Sequence, residues 1–221
     1  MITTKKELKF YILADRMMNK GRFNRNLFDF VKMLIGLDKI WEYINILRHL
    51  EYYKNVVENK IISRTFTSPV VRLGYKIIKT YWTYRWLKLG QKVGFSISPN
   101  VCGYGLVIPH WGTIVVGHGN TIGNYCLLHT CVCIRAGKNN IGDFARFSIG
   151  SKISAYDATL GDGVSIAANS VITRSCEKDN VVLAGMPAKI VKESKSWVFN
   201  DGDRFVERFE KIEELKRKMF G

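Results

Sequence analysis

The chain has 221 residues, of which 47% are hydrophobic and 24% charged, with a formal net charge of +15. That length holds one large domain or two small ones, and the mixture is that of an ordinary folded protein, not a disordered one. No run of about 18 apolar residues is present, as a spanning helix would need, and Glu7, Lys9 and Asp15 break the start of the chain where a signal peptide would need an apolar core.

In chain order, residues 1–95 read as a helical cap. Thr4 and Glu7 form a possible capping box ahead of the first apolar run. Ile40, Tyr43, Ile44, Leu47 and Leu50 share one face of a second helix. Pro69 opens a third segment, rich in aromatics and Lys/Arg. The charge is uneven. Residues 1–95 carry 19 Lys/Arg and 7 Asp/Glu, a net +12, whereas residues 96–221 carry 15 and 12, a net +3. Two readings of the basic aromatic stretch 70–92 stand side by side. It is a surface helix packed on the rest of the protein, or an interfacial helix held on an anionic membrane face with Trp82, Tyr84 and Trp86 at headgroup depth. Nucleic acid is not an expected partner, because no groove-reading motif accompanies the charge.

Residues 96–193 carry the dominant pattern. Val116, Ile122, Leu128, Ile134, Ile141, Phe147, Ile153, Leu160, Ile166 and Ile172 recur at steps of six residues, with two steps of seven. The next residue is often Gly or another small one, as at Gly117, Gly123, Gly142 and Gly161. Six fits neither the helical period nor strand alternation. It predicts a hexapeptide β-helix, a three-sided coil with about 18 residues per turn. Gly185-Met186-Pro187 closes the repeat, and residues 194–221 hold a last helix with Phe205, Phe209, Ile212, Leu215 and Met219 on one stripe. The flanking helices are expected to cover the coil ends.

Cys102, Cys126, Cys131, Cys133 and Cys176 are too few and too irregular for a disulfide framework. They are expected to pack as small apolar thiols, which fits a cytoplasmic location. Cys131-Val132-Cys133 lacks a zinc-knuckle gap, and His110, His118 and His129 lack the spacing of a three-histidine metal site, so no metal is expected. His49 reads as structural. His110 and His129, 19 residues apart, fall on neighbouring coils at one edge. An imidazole there is suited to drawing a proton from a hydroxyl nucleophile.

The stretch Ile108-Pro-His-Trp-Gly-Thr-Ile-Val-Val-Gly117 and the closing Ala184-Gly-Met-Pro-Ala-Lys-Ile-Val191 resemble the hexapeptide-repeat acyltransferases. The branch they resemble is that of the serine acetyltransferases and their polysaccharide-biosynthesis relatives. The resemblance implies a left-handed parallel β-helix, a homotrimer and acetyl-CoA as co-substrate. It implies that His110 is the general base and that His129 supports it or holds the acceptor. It lays the pantetheine arm against Gly150, Ser151, Ala167 and Ala168, with Lys189 meeting a coenzyme A phosphate. Tight coil corners account for the same Gly and Ala positions, and Lys189 is equally read as solvated.

Two departures bear on the acceptor. Serine acetyltransferases carry Asp-Ile-His-Pro ahead of the catalytic histidine, where this chain has Ser96-Ile97-Ser98-Pro99. The loop Arg135–Asn140 replaces a longer one that carries a second substrate-binding histidine. A free amino acid needs partners for both its charges, so the losses point to a saccharide hydroxyl. Serine is the alternative acceptor, and a non-catalytic β-helix scaffold the alternative role.

Overall fold

The computed structural model describes residues 1–24, 26–58 and 68–221. The part of the helical expectation that falls on residues 59–67 lies outside these. The N-terminal helices are α1 (Lys5–Lys20), α2 (Leu27–Leu34), α3 (Lys39–Glu58) and α4 (Pro69–Val93). Helix α1 starts at the expected capping box. The Thr4 hydroxyl accepts the Glu7 N–H at 3.1 Å, and the Glu7 carboxylate accepts the N–H groups of Thr3 and Thr4. It ends at Gly21, whose φ of 72° is the left-handed stop that suits glycine. Pro69 occupies the first turn of α4, where its missing N–H costs nothing.

From Phe95 onward the chain coils. Eleven short strands, β1 (Phe95–Ile97), β2 (Ile114–Val116), β3 (Thr121–Ile122), β4 (Leu127–Leu128), β5 (Val132–Ile134), β6 (Asn140–Ile141), β7 (Arg146–Phe147), β8 (Lys152–Ile153), β9 (Thr159–Leu160), β10 (Ser165–Ile166) and β11 (Val171–Ile172), lead into β12 (Val181–Gly185) and β13 (Ala188–Glu193). They form three sheets, ordered β1-β2-β5-β8-β11, β3-β6-β9 and β13-β12-β10-β7-β4. Every strand pairing among the described residues is parallel except the closing β12–β13 hairpin. Ile97, Val116, Ile134, Ile153 and Ile172 stack on the first face at steps of 18 or 19 residues. Ile122, Ile141 and Leu160 stack on the second, and Leu128, Phe147 and Ile166 on the third. All ten residues of the hexad row are 2% exposed or less, so the period is the inward-pointing row of a triangular coil.

The glycine that follows the hexad marker has a steric cause. Asn124, Asp143, Asp162 and Asp179 form a ladder in which each side chain takes the backbone N–H of the rung before it, at 2.7–2.8 Å for the three carboxylates. A Cβ at Gly123, Gly142 or Gly161 would collide with the carboxylate Oδ1 of the next coil. Asn120 and Asn139 form a second, buried ladder on another corner, with the Asn139 amide donating to Asn120 Oδ1 at 2.8 Å. These side chains satisfy corner N–H and C=O groups that strand pairing leaves open.

The helical cap and the coil share one core, which runs from Trp41, Tyr43, Ile44 and Leu47 through Phe95 to the far coils. The predicted face of α3 is the buried one, with Ile40 only partly covered. At the junction Arg48 is wholly buried. Its guanidinium donates to Asp15 at 2.7 Å, to Glu51 at 2.9 Å, and to the carbonyls of Cys102 and Gly103 at 2.9 and 2.6 Å. The two carboxylates keep the guanidinium charged despite its burial.

The C-terminal elements are a short α5 (Trp197–Asn200), which the sequence did not suggest, and α6 (Asp203–Phe220). Phe205 and Ile212 of the predicted stripe are buried, and Phe209, Leu215 and Met219 are partly so. Phe209 packs edge-on against Tyr125 and Phe144, which stack at 5.2 Å between successive coils. Both stacked residues hold left-handed corners, φ 57° and 59°, a conformation that costs about 1–3 kcal/mol and is held here by the aromatic cluster. The cysteine expectation is corrected in one place. Cys102 and Cys126 are buried, but Cys131 is exposed, because it occupies a left-handed corner and not an inward strand position.

Arg48→Ala leaves two carboxylates buried without their cation, which costs about 3–5 kcal/mol. Urea unfolding is the check, and a loss below about 1 kcal/mol would show that the junction does not depend on this charge.

Candidate active site

The corner that carries His110 is longer than the corners stacked on it. Val107 pairs with Leu127 and Ile114 with Val132, so seven steps on this coil face five on the next. The later coils add none, since Leu127 pairs with Arg146 and Cys133 with Lys152, six steps apart on both coils. Two extra residues therefore push Pro109–Gly112 outward, and His110 and Trp111 stand exposed, Trp111 at 75%.

Helix α1 holds the root of this corner. The Leu106 N–H donates to Asp15 at 2.9 Å. The Asn19 amide donates to the Leu106 carbonyl at 2.7 Å, and its oxygen accepts the Ile108 N–H at 3.3 Å. Asp15 thus serves both the Arg48 junction and the approach to His110.

His129 follows β4 on the next coil, where its N–H donates to the Phe147 carbonyl at 3.0 Å. Its imidazole is half-buried. Desolvation, then the positive charges of Arg146 and His110, push its pKa below the ordinary 6.5, with Asp201 acting the other way. The two histidines stand on neighbouring coils, His110 in the corner between Val107 and Ile114 and His129 just after β4. Arg146 Nη1 donates to both carboxylate oxygens of Asp201 at 3.0 Å, which ties the α5–α6 connection to this edge. Among the described residues no carboxylate hydrogen-bonds to either imidazole. The other two histidines do not join them. His118 is exposed on a different corner, and His49 stacks on Trp82 at 4.4 Å with Nδ1 against the Asn45 carbonyl at 2.8 Å. No cluster of three metal-ligating side chains occurs among the described residues.

The register continues the same edge. Pairing of Leu128, Phe147 and Ile166 sets His129, Ser148 and Ala167 one above another. Gly150 and Ser151 then face Asn169 and Ser170 across the corner. Gly150 has φ 72°, and a Cβ there would meet Asn169, so the corner requires glycine on geometric grounds alone. Ser151 Oγ is buried without a partner, while Ala168 is exposed. Lys189 is exposed on β13, opposite Ala184 on the last coil, and makes no ion pair among the described residues. Sequence reasoning missed Trp111, Arg146 and Asp201. The tryptophan sat in the matched motif and was legible, whereas the ion pair spans 55 residues and had no local pattern.

No protein-family model matches the chain. No curated protein matches it either. Solved structures do. The fold is a left-handed parallel β-helix with a helical cap. It is similar to serine acetyltransferase from Neisseria gonorrhoeae, with a TM-score of 0.60 at 19% identity, over 90% of this chain and 71% of that one. It is also similar to a truncated serine acetyltransferase apoenzyme, with a TM-score of 0.52 at 18% identity, over 85% of this chain and 71% of that one.

NMR titration of the imidazoles tests the electrostatics. The His129 midpoint lies below 6.5, so the ring is neutral at pH 7, and Arg146→Gln raises the midpoint by removing a cation. A midpoint above 6.5 in the unaltered protein would contradict the geometry.

Proposed function

We propose that the protein is an acetyl-CoA-dependent O-acetyltransferase, with residues 96–193 as the catalytic unit and residues 1–95 as its cap. The observation that carries this reading is the protruding corner, which presents His110 beside a neutral His129 at the head of a column of small residues. His110 takes the proton of the acceptor hydroxyl. The oxygen attacks the thioester carbonyl, the C–S bond breaks, and the imidazolium returns the proton to the leaving thiolate. Backbone N–H groups stabilise the oxyanion. The pantetheine arm lies against Gly150, Ser151, Ala167 and Ala168, and Lys189 meets a phosphate. His129 stays uncharged and orients His110 or the acceptor.

For the acceptor we favour a saccharide hydroxyl of a surface-glycan pathway. Support comes from Ser96 and Ser98 standing where a serine site would hold ionisable partners. Serine is the second reading, favoured by the serine acetyltransferases that share the fold. Free thiol release from acetyl-CoA, with serine and a panel of sugars as acceptors, separates the two. His110→Ala lowers turnover by about 10²–10⁴-fold, the usual contribution of a general base, with acetyl-CoA binding retained. Near-normal turnover in that variant would contradict the role given to His110. Absence of both turnover and acetyl-CoA binding would favour the scaffold role.

Two assembly proposals accompany this reading. A homotrimer would cover the exposed Trp111 and Ile149 at the site edge, and sedimentation equilibrium reads its mass. Helix α4 would rest on the anionic inner face of a membrane. The expectation that Trp82 and Trp86 reach headgroup depth is corrected, since both pack with Arg85 against α3, while Tyr84 is exposed. Val70, Leu73, Ile77, Tyr81, Tyr84 and Leu87 recur every three or four residues and are exposed. The helix carries six Lys/Arg, and no acidic residue occurs between Glu58 and Asp143. That combination suits an interfacial helix, and no helix among the described residues is long and apolar enough to cross a membrane. Anionic liposomes float the protein at low salt, and Ile77→Glu weakens flotation about tenfold. Protein that stays at the bottom of the gradient would end the membrane proposal.

A further inference from the structure

A cavity of about 310 Å³ opens under the His110 corner, between α1, the start of α3 and the first turns of α6. Pro109, the residue before His110, forms part of its wall. Its charged lining is Lys20, Asp38, Arg204 and Arg208. Lys20 and Asp38 neutralise each other in an ion pair of 2.8 Å. The two arginines are left over. They sit four residues apart on one helix face, and both guanidiniums lie over the Phe205 ring, at 4.8 and 5.3 Å.

Like charges at this spacing oppose each other. Neither arginine has a carboxylate partner among the described residues. Desolvation and the charge of Arg204 both work against the charge on Arg208, whose pKa is lowered. Arg208 is fixed in place, donating to the Met18 carbonyl at 2.6 Å. Arg204 is exposed and has no hydrogen bond. The Phe205 contacts and the Met18 hydrogen bond support each arginine singly, but neither offsets the repulsion between the two charges. A bound oxyanion does, because two guanidiniums on an aromatic shelf offer forked donors to phosphate or carboxylate oxygens.

We infer that Arg204 and Arg208 bind an anionic group of the acceptor, a phosphate or a carboxylate, and hold its hydroxyl toward His110. The inference rests on the acyl-transfer reading for the role of the ligand, but the binding it requires does not. Coenzyme A phosphates are a poor account of the site. The cavity borders the first coil, whereas Lys189, the cation assigned to that phosphate, lies on the last. The column of small residues runs from His129 away from the cavity.

The test is equilibrium binding, by calorimetry, of three probes that share a sugar ring: glucose 1-phosphate, glucuronate and glucose. Acetyl-CoA is titrated separately as a control. The expected result is binding of at least one anionic probe, no binding of glucose, and about a tenfold loss of affinity in Arg204→Gln, the scale of a charge-assisted contact. Acetyl-CoA affinity stays unchanged in that variant. Binding of the phosphate alone, the carboxylate alone or both names the anion and supports the inference. If neither anion binds, or if both bind equally well to Arg204→Gln, the inference falls. Acetyl-CoA binding by the same sample then shows that the acyl-transfer reading survives without it. Arg204 is exposed and unbonded, so the variant folds, and its melting temperature checks this.

Discussion

A buried guanidinium governs how the two halves of this molecule meet. Arg48 lies where α1, α3 and the first coil converge, with no water to share its charge. It is tolerable there only because two carboxylates and two backbone carbonyls surround it. That requirement fixes the angle of the helices against the coil. It also fixes Asp15, whose second oxygen holds the Leu106 N–H at the root of the His110 corner. One turn later on α1, Asn19 grips the same strand edge twice. The exposed histidine is thus carried on a corner whose root is held by Asp15 and Asn19 of α1, which is how a protruding loop can keep a defined direction.

The coil itself was legible in the sequence because its energetics are local and repeated. Each face buries one marker residue per turn, so the marker must be apolar at every sixth or seventh position. The glycine beside it was visible too, though its cause was not. That cause is the carboxylate ladder, which fills the volume a side chain would take. The capping box, the Pro69 start of α4 and the stripe of the last helix were legible for the same local reasons.

What the sequence hid depends on pairings across distance. Asp15 looks like a charge that interrupts an apolar stretch, yet its partner is 33 residues away in a dry junction. The spacing of His110 and His129 suggested neighbouring coils at one edge, with an irregular register around Pro109. The pairings give the cause of the irregularity, a corner with two extra residues on which His110 is exposed. Cys131 falls on a corner for a related reason, since an apolar residue beside a strand cannot be told from one inside it until register is known. Arg146 and Asp201 were unreadable because they join a strand to a connection beyond the repeat.

The chemistry follows from these placements. One imidazole is exposed, and burial and a nearby arginine lower the pKa of the other. Two arginines without a carboxylate partner among the described residues line the cavity beneath the corner. On the proposed acyl-transfer reading, an acceptor that brings its own negative charge suits this arrangement better than a zwitterion does.

The central claim is that the edge from His129 to Ala168 receives the thioester arm. The most direct measurement is acetyl-CoA binding to the unaltered protein and to Ala167→Trp, with circular dichroism as a check of the coil. The account predicts saturable binding that the indole abolishes by filling the edge. No binding to the unaltered protein, or equal affinity in the folded variant, would contradict it.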